Sequence, residues 1–145
     1  MIYKKYRTLR GNHIVNSETK IWIRDLIDLL ESREPQTINN SDINWLGCFG
    51  RTLEQRIQQK TNDRQRFQNA DITVPGIVVK NPTPEEKYRM LDGTHRMAKM
   101  HLSGVQESKQ YVITKDEYES FFRDRKTGMP LKEKGVSLKE QKSIH

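Results

Sequence analysis

The first strong periodicity lies at 18–32, where Trp22, Ile23, Leu26, Ile27, Leu29 and Leu30 form a wide apolar stripe at helical spacing. It predicts a helix, closed by Pro35 and the Asn39-Asn40 pair. At 42–46 the period shortens: Ile43 and Trp45 alternate with polar neighbours, which predicts a short half-buried strand. Gly47-Cys48-Phe49-Gly50 reads as a turn. A polar helix is then expected at 52–59, with Leu53 and Ile57 as its only apolar face and Thr52-x-x-Gln55 as a capping box. The stretch 60–69 has few apolar positions and reads as a solvated loop or an extension of that helix.

The centre of the chain has clearer punctuation. A strand is predicted at 72–80, interrupted by Pro75-Gly76 and ending in the β-branched run Ile77-Val78-Val79. A proline- and acid-rich turn at 81–86 leads to a second strand at 87–91. Asp92-Gly93 breaks it, and a helix is expected at 95–103 with Met97, Ala98, His101 and Leu102 on its buried side. Gly104 supplies a C-terminal stop. A third strand follows at 110–113. Thr114-x-x-Glu117 then marks the capped start of a helix with Tyr118, Phe121 and Phe122 on its apolar face. The whole predicts an α+β fold, a small mixed sheet with packed helices, formed by residues 16–125. A basic N-terminal arm is expected at 1–15 and a flexible polar tail at 126–145. No internal repeat is present.

Composition narrows the class. The chain has 145 residues, only 33% of them hydrophobic, which suits one domain with polar ends. The net charge of +7 favours anionic partners: nucleotide phosphates, nucleic acid or an acidic surface. Cys48 is the single cysteine, so no intramolecular disulfide can form, and the four histidines show no metal-ligand spacing. No apolar run approaches the ~20 residues a spanning helix needs, so no membrane partner is expected. A soluble cytoplasmic protein is the expectation.

The candidate chemistry is at Asp92-Gly93-Thr94-His95-Arg96, where a strand feeds directly into a helix. The first amides of a helix have no intrahelical acceptors, and the macrodipole adds positive potential there. Gly93 lets the backbone curl around a ligand, Thr94 offers a hydroxyl, and His95 and Arg96 add donors suited to phosphate oxygens. Gly93, Thr94, His95 and Arg96 are the candidate phosphate-binding residues. Asp92 and His95 are the candidate catalytic pair, and Asp92 the candidate magnesium ligand. A purely structural reading competes: Asp-Gly is a common strand-to-helix turn, in which Asp92 caps, Arg96 pairs with a carboxylate and His95 packs.

The stretches Pro75-Gly-Ile-Val-Val-Lys80, Tyr88-Arg-Met-Leu-Asp-Gly-Thr-His-Arg-Met-Ala-Lys-Met100, Gly104 and Tyr111-Val-Ile113 resemble the ParB/sulfiredoxin-like superfamily over about forty residues. That resemblance covers the nuclease-like N-terminal domain of ParB proteins and the Asp-Gly-x-His-Arg box of free-serine kinases. It implies a nucleotide (ATP, ADP or CTP) bound on the box, with magnesium. A sulfiredoxin has cysteine where this chain has Thr94, so sulfiredoxin activity is not expected. About thirty residues follow Thr114, too few for the further domains of a complete partition protein. The kinases also use an upstream acid as base, for which Glu54 and Asp71 are the candidates here.

A second feature is the basic band Arg51, Arg56, Lys60, Arg64 and Arg66, which reads either as a track for a nucleic-acid backbone or as a solvated helix face. Trp22, Trp45, Phe121 and Phe122 are expected in the core, and His101 at a core or boundary position. Two functions therefore stand side by side: a phosphotransferase or nucleotide hydrolase, and a stand-alone partition-like module that binds nucleic acid.

Overall fold

The computed structural model describes residues 11–131. The N-terminal hairpin pairs β1 (Asn12–Ile14) with β2 (Thr19–Trp22), and β2 pairs in turn with β8 (Arg123–Asp124) to make a small antiparallel sheet. The larger sheet contains β3 (Gln36–Asn39), β4 (Ile43–Asn44), β5 (Gly76–Lys80), β6 (Tyr88–Asp92) and β7 (Glu107–Ile113) in the order β3-β7-β5-β6-β4. It is mixed: β5 is parallel to β7 and antiparallel to β6, while β4 joins β6 in parallel. The helices are α1 (Ile27–Glu31), α2 (Leu53–Asn62), α3 (Arg64–Asn69), α4 (Thr94–Leu102) and α5 (Lys115–Ser120). The expected α+β architecture is present.

The run Ile77-Val78-Val79 is continuous rather than alternating because β5 is covered on both faces. Ile77 and Val79 face one core with Ile21, Leu26, Leu30, Ile113 and Phe122. Val78 faces the other, with Ile38, Trp45, Met90, Met97 and Met100. The period of two along the strand thus assigns successive residues to different layers.

Three sequence expectations change. The helix expected at 18–32 begins as β2, continues as a 3-10 turn (Ile23–Leu26) and becomes α-helical only at α1. Thr19-Lys20-Ile21-Trp22 also alternates with period two, and pairing with β1 and β8 satisfies its backbone; Thr19 and Ile21 are buried. The helix interpretation also hid β3, which follows Pro35 and pairs with β7. On α4, Met100 is buried, whereas His101 and Leu102 are exposed, Leu102 by 56%. The stripe is rotated by about one residue relative to the expectation, and His101 only meets the edge of Trp45, with ring centroids 6.4 Å apart. Trp22 is half-buried rather than core, stacked by Arg123 at 3.8 Å and Arg24 at 4.2 Å.

Other local signals match the structure. Both capping boxes are formed: Thr52 with Gln55, and Thr114 with Glu117. The stretch 60–69 continues α2 to Asn62 and then forms α3, whose last carbonyls accept from Lys99 Nζ at 3.0 Å. Much of the expected arm and tail lies outside the described residues. Within them, β1 lies in the span read as the arm. Beyond Arg125, Leu131 packs against the first core and its amide donates to the Phe122 carbonyl at 3.0 Å.

The sheet has one very close approach. A Cβ placed on Gly76 would lie 2.6 Å from the Asp92 carbonyl oxygen and 2.6 Å from Gln110 Oε1. We expect Gly76→Ala to destabilise the protein by about 2–3 kcal/mol through this overpacking. Urea denaturation measures it, and a change below about 0.5 kcal/mol would show that the strands do not approach this tightly.

Candidate functional site

The Asp92–Arg96 turn opens into a cleft of about 880 Å³. Asp92 ends β6, and Gly93 adopts a left-handed conformation (φ 107°) that turns the chain abruptly into α4. A side chain at that φ is strained. Gly93 supplies no side-chain cap, so the first amides of α4 are left to other acceptors. Arg96 folds back over the turn: a Cβ on Gly93 would lie 3.2 Å from Arg96 Nη1. That nitrogen is buried and has no hydrogen-bond partner among the described residues.

The opposite wall is α2 and the loop before it. Arg51, Arg56, Lys60 and Arg66 all line the cleft, whereas Arg64 is exposed on α3 and does not. The band is therefore not one continuous track. Arg56 is fixed by donating from Nε to the Trp45 carbonyl at 2.8 Å and from Nη1 to Gln59 at 2.7 Å. Lys60 is held down to about 8, first by burial and then by the charges of Arg56 and Arg66. Burial and Arg51 lower Arg56 in the same sense. The cations are crowded in a way that an anion would relieve.

His95 is half-buried and its Nε2 donates to Asp63 Oδ2 at 3.2 Å, linking α4 to the α2–α3 junction. Burial, then Lys60, keeps its imidazole below the ordinary histidine range and so uncharged at neutral pH. Thr94 and Asp92 line the cleft beside it. The two base candidates separate. Asp71 lines the cleft, with its carboxylate held low first by the hydroxyl and then by the amide of Thr73, at 2.6 and 2.9 Å. Glu54 is exposed on α2 and does not line it. Among the described residues no group of three His, Cys, Asp or Glu side chains could hold a metal unaided.

The far end of the cleft was not anticipated from sequence. His13 of β1, Asn44 of β4 and Arg89 of β6 line it. Arg89 forms a fork with Glu86 and donates to the Tyr118 hydroxyl at 3.3 Å, which leaves the phenolic proton for His13 Nε2 at 3.0 Å. Glu86 also accepts from Asn44 at 2.9 Å and Thr83 at 3.1 Å. Burial pushes Glu86 up, but hydrogen bonds from Arg89 and Asn44 outweigh it and hold the carboxylate ionised. The same fork raises Arg89. The one available signal was the Asn16-Ser17 turn between two short β-prone runs, a hairpin pattern that would have placed His13 on a strand.

Comparison with protein-family models, with curated proteins and with solved structures found no match. No helix among the described residues is long and apolar enough to cross a membrane.

Burial, Arg89 and Arg56 together hold His13 down to about 3, against an ordinary value of 6.5. Between those values the unfolded chain binds a proton that the native state does not, so stability falls as the pH drops below 6.5. Between pH 6.5 and 5 the expected loss is roughly 1–2 kcal/mol. His13→Gln, measured by urea denaturation across that interval, should remove most of this slope and leave a remainder from His95. An unchanged slope would mean that His13 is not held neutral.

Proposed function

We propose that the chain is a nucleotide-binding domain of the ParB/sulfiredoxin-like kind, whose cleft receives phosphate between the Gly93–Arg96 turn and the basic wall of α2. One observation supports this above the others. The Asp92–Arg96 turn and four of the five residues of the basic band, all but Arg64, were read separately in the sequence and line the same cleft. Pairing within the fold does not exhaust this charge: among the described residues Arg96 Nη1 is buried without a partner, and Lys60 is pushed towards deprotonation first by burial and then by neighbouring cations. Phosphate oxygens satisfy both conditions at once.

In this reading the amides of α4 and the Arg96 guanidinium bind phosphate oxygens, and Lys60 and Arg56 neutralise charge from the facing wall. His95, neutral and anchored by Asp63, orients the entry of the turn. Asp92 would hold a magnesium ion jointly with bound phosphate, and that ion would screen the phosphate charge. Asp71, rather than Glu54, is the carboxylate able to serve a reacting group in the cleft. Phosphoryl transfer or nucleotide hydrolysis would then proceed by positioning and charge neutralisation. A second reading, a partition-like module that binds nucleic acid, draws on the same four cleft-lining cations, Arg51, Arg56, Lys60 and Arg66.

Thermal shift and calorimetry with ATP, ADP, CTP and GTP, with and without magnesium, test the first reading. Arg96→Ala should weaken binding at least about tenfold through loss of charge-assisted hydrogen bonds. Anion binding favours charged Lys60 and raises its pKa, so affinity should fall as pH rises through about 8. Lys60→Gln should flatten that profile. No nucleotide-induced shift, with Arg96→Ala indistinguishable from wild type, would refute the reading. For the second reading, DNA or RNA affinity should fall steeply with salt, and a flat response would count against it.

A further inference from the structure

We propose that the rim of the cleft contains a base-stacking subsite at Phe49, so that its ligand is a nucleotide unit rather than bare phosphate. The inference rests on the phosphate reading of the Gly93–Arg96 turn and adds the part of the ligand that the turn does not address. Phe49 lines the cleft and is 55% exposed. It lies in the loop between β4 and α2, just ahead of the helix that supplies Arg56 and Lys60.

Two guanidiniums accompany the ring, Arg51 at 5.4 Å and Arg125 at 5.8 Å from its centroid. Trp22 shows how this protein closes an aromatic–arginine stack when the stack is structural. There Arg123 and Arg24 lie at 3.8 and 4.2 Å, and a Cβ on Gly128 would meet the indole at 2.8 Å. Phe49 has partners of the same kind, Arg51 and Arg125, held more loosely on a ring open to solvent. A planar base can lie on the Phe49 face while Arg51, which also lines the cleft, engages its phosphate or stacks at its edge. An exposed aromatic beside a cationic groove is the combination by which unpaired bases are held without regard to sequence. The shared chemistry is one unpaired base on phosphate, supplied either by a free nucleotide or by a single strand.

The test compares tripolyphosphate, ATP, CTP and a short oligothymidylate by calorimetry, using the full chain and its Phe49→Ala and Phe49→Trp variants. Phe49→Ala should weaken the base-containing ligand by about tenfold and leave tripolyphosphate unchanged, while Phe49→Trp restores the affinity. Loss confined to ATP and CTP identifies a free nucleotide; loss confined to the oligothymidylate identifies a strand. Equal affinities for wild type and Phe49→Ala would overturn the subsite while leaving the phosphate reading intact. A parallel loss of tripolyphosphate binding would overturn it too, because Phe49 would then support the cleft rather than a base. If wild type binds no tripolyphosphate at all, the phosphate reading itself fails, and the subsite with it.

Discussion

The close approach of β5 to the end of β6 is the constraint on which the cleft depends. Gly76 has the Asp92 carbonyl on one side and the Gln110 side chain on another, and its Cα is close enough to Gly93 to touch any side chain placed there. The two glycines let strand and turn interlock without side chains between them. Asp92 therefore ends at a defined height on the sheet, and α4 starts immediately above it. Gln110 is 2% exposed, and its Nε2 donates to Ser108 Oγ at 2.9 Å. Ser108 in turn donates to Asn40, whose amide reaches the Val105 carbonyl at 3.1 Å. This polar chain ties β7 to the turn before β4, so the floor of the cleft is fixed from both sheet neighbours.

Above that floor the arginines divide into two populations. Arg33 and Arg89 have their forks filled by Glu117 and Glu86, and each joins elements distant in sequence. Arg123 likewise serves Asp25 and the Gly128 carbonyl. Their charge is already spent on the fold. Arg96, with a buried nitrogen lacking a partner among the described residues, and Lys60, half-buried and crowded by Arg56 and Arg66, belong to the second population. Leaving buried donors unpaired costs stability that packing alone does not return, so such groups mark places where something besides the fold is selected. Both face the same cleft as the amides of α4.

How much of this was legible in the sequence follows from the range of the forces involved. Local signals read well: the capping boxes of Thr52 and Thr114, the β-branched run of β5 and the Gly93 turn depend on neighbours within a few residues. The segment at 18–32 misled because Trp22, Leu26, Leu29 and Leu30 satisfy a helical period, while the backbone of Thr19–Trp22 is claimed by β1 and β8. Pairing with a strand a hundred residues away leaves no local trace. The Gly93–Arg96 half of the site was visible as a motif. The His13–Tyr118–Arg89–Glu86 network was not, because its members come from three separate stretches joined only by tertiary contact. Phe49 reads in the sequence as one apolar residue in a turn; its meaning comes from Arg125, which tertiary folding brings beside it.

The account depends on the α4 N-terminus being an anion site, and backbone amide NMR tests that most directly. On titration of the uniformly labelled protein with pyrophosphate, the amides of Thr94, His95 and Arg96 should show the largest shifts, accompanied by the Arg96 guanidinium and the Lys60 side chain. Shifts spread over exposed lysines, with the amides at 94–96 unmoved, would contradict it.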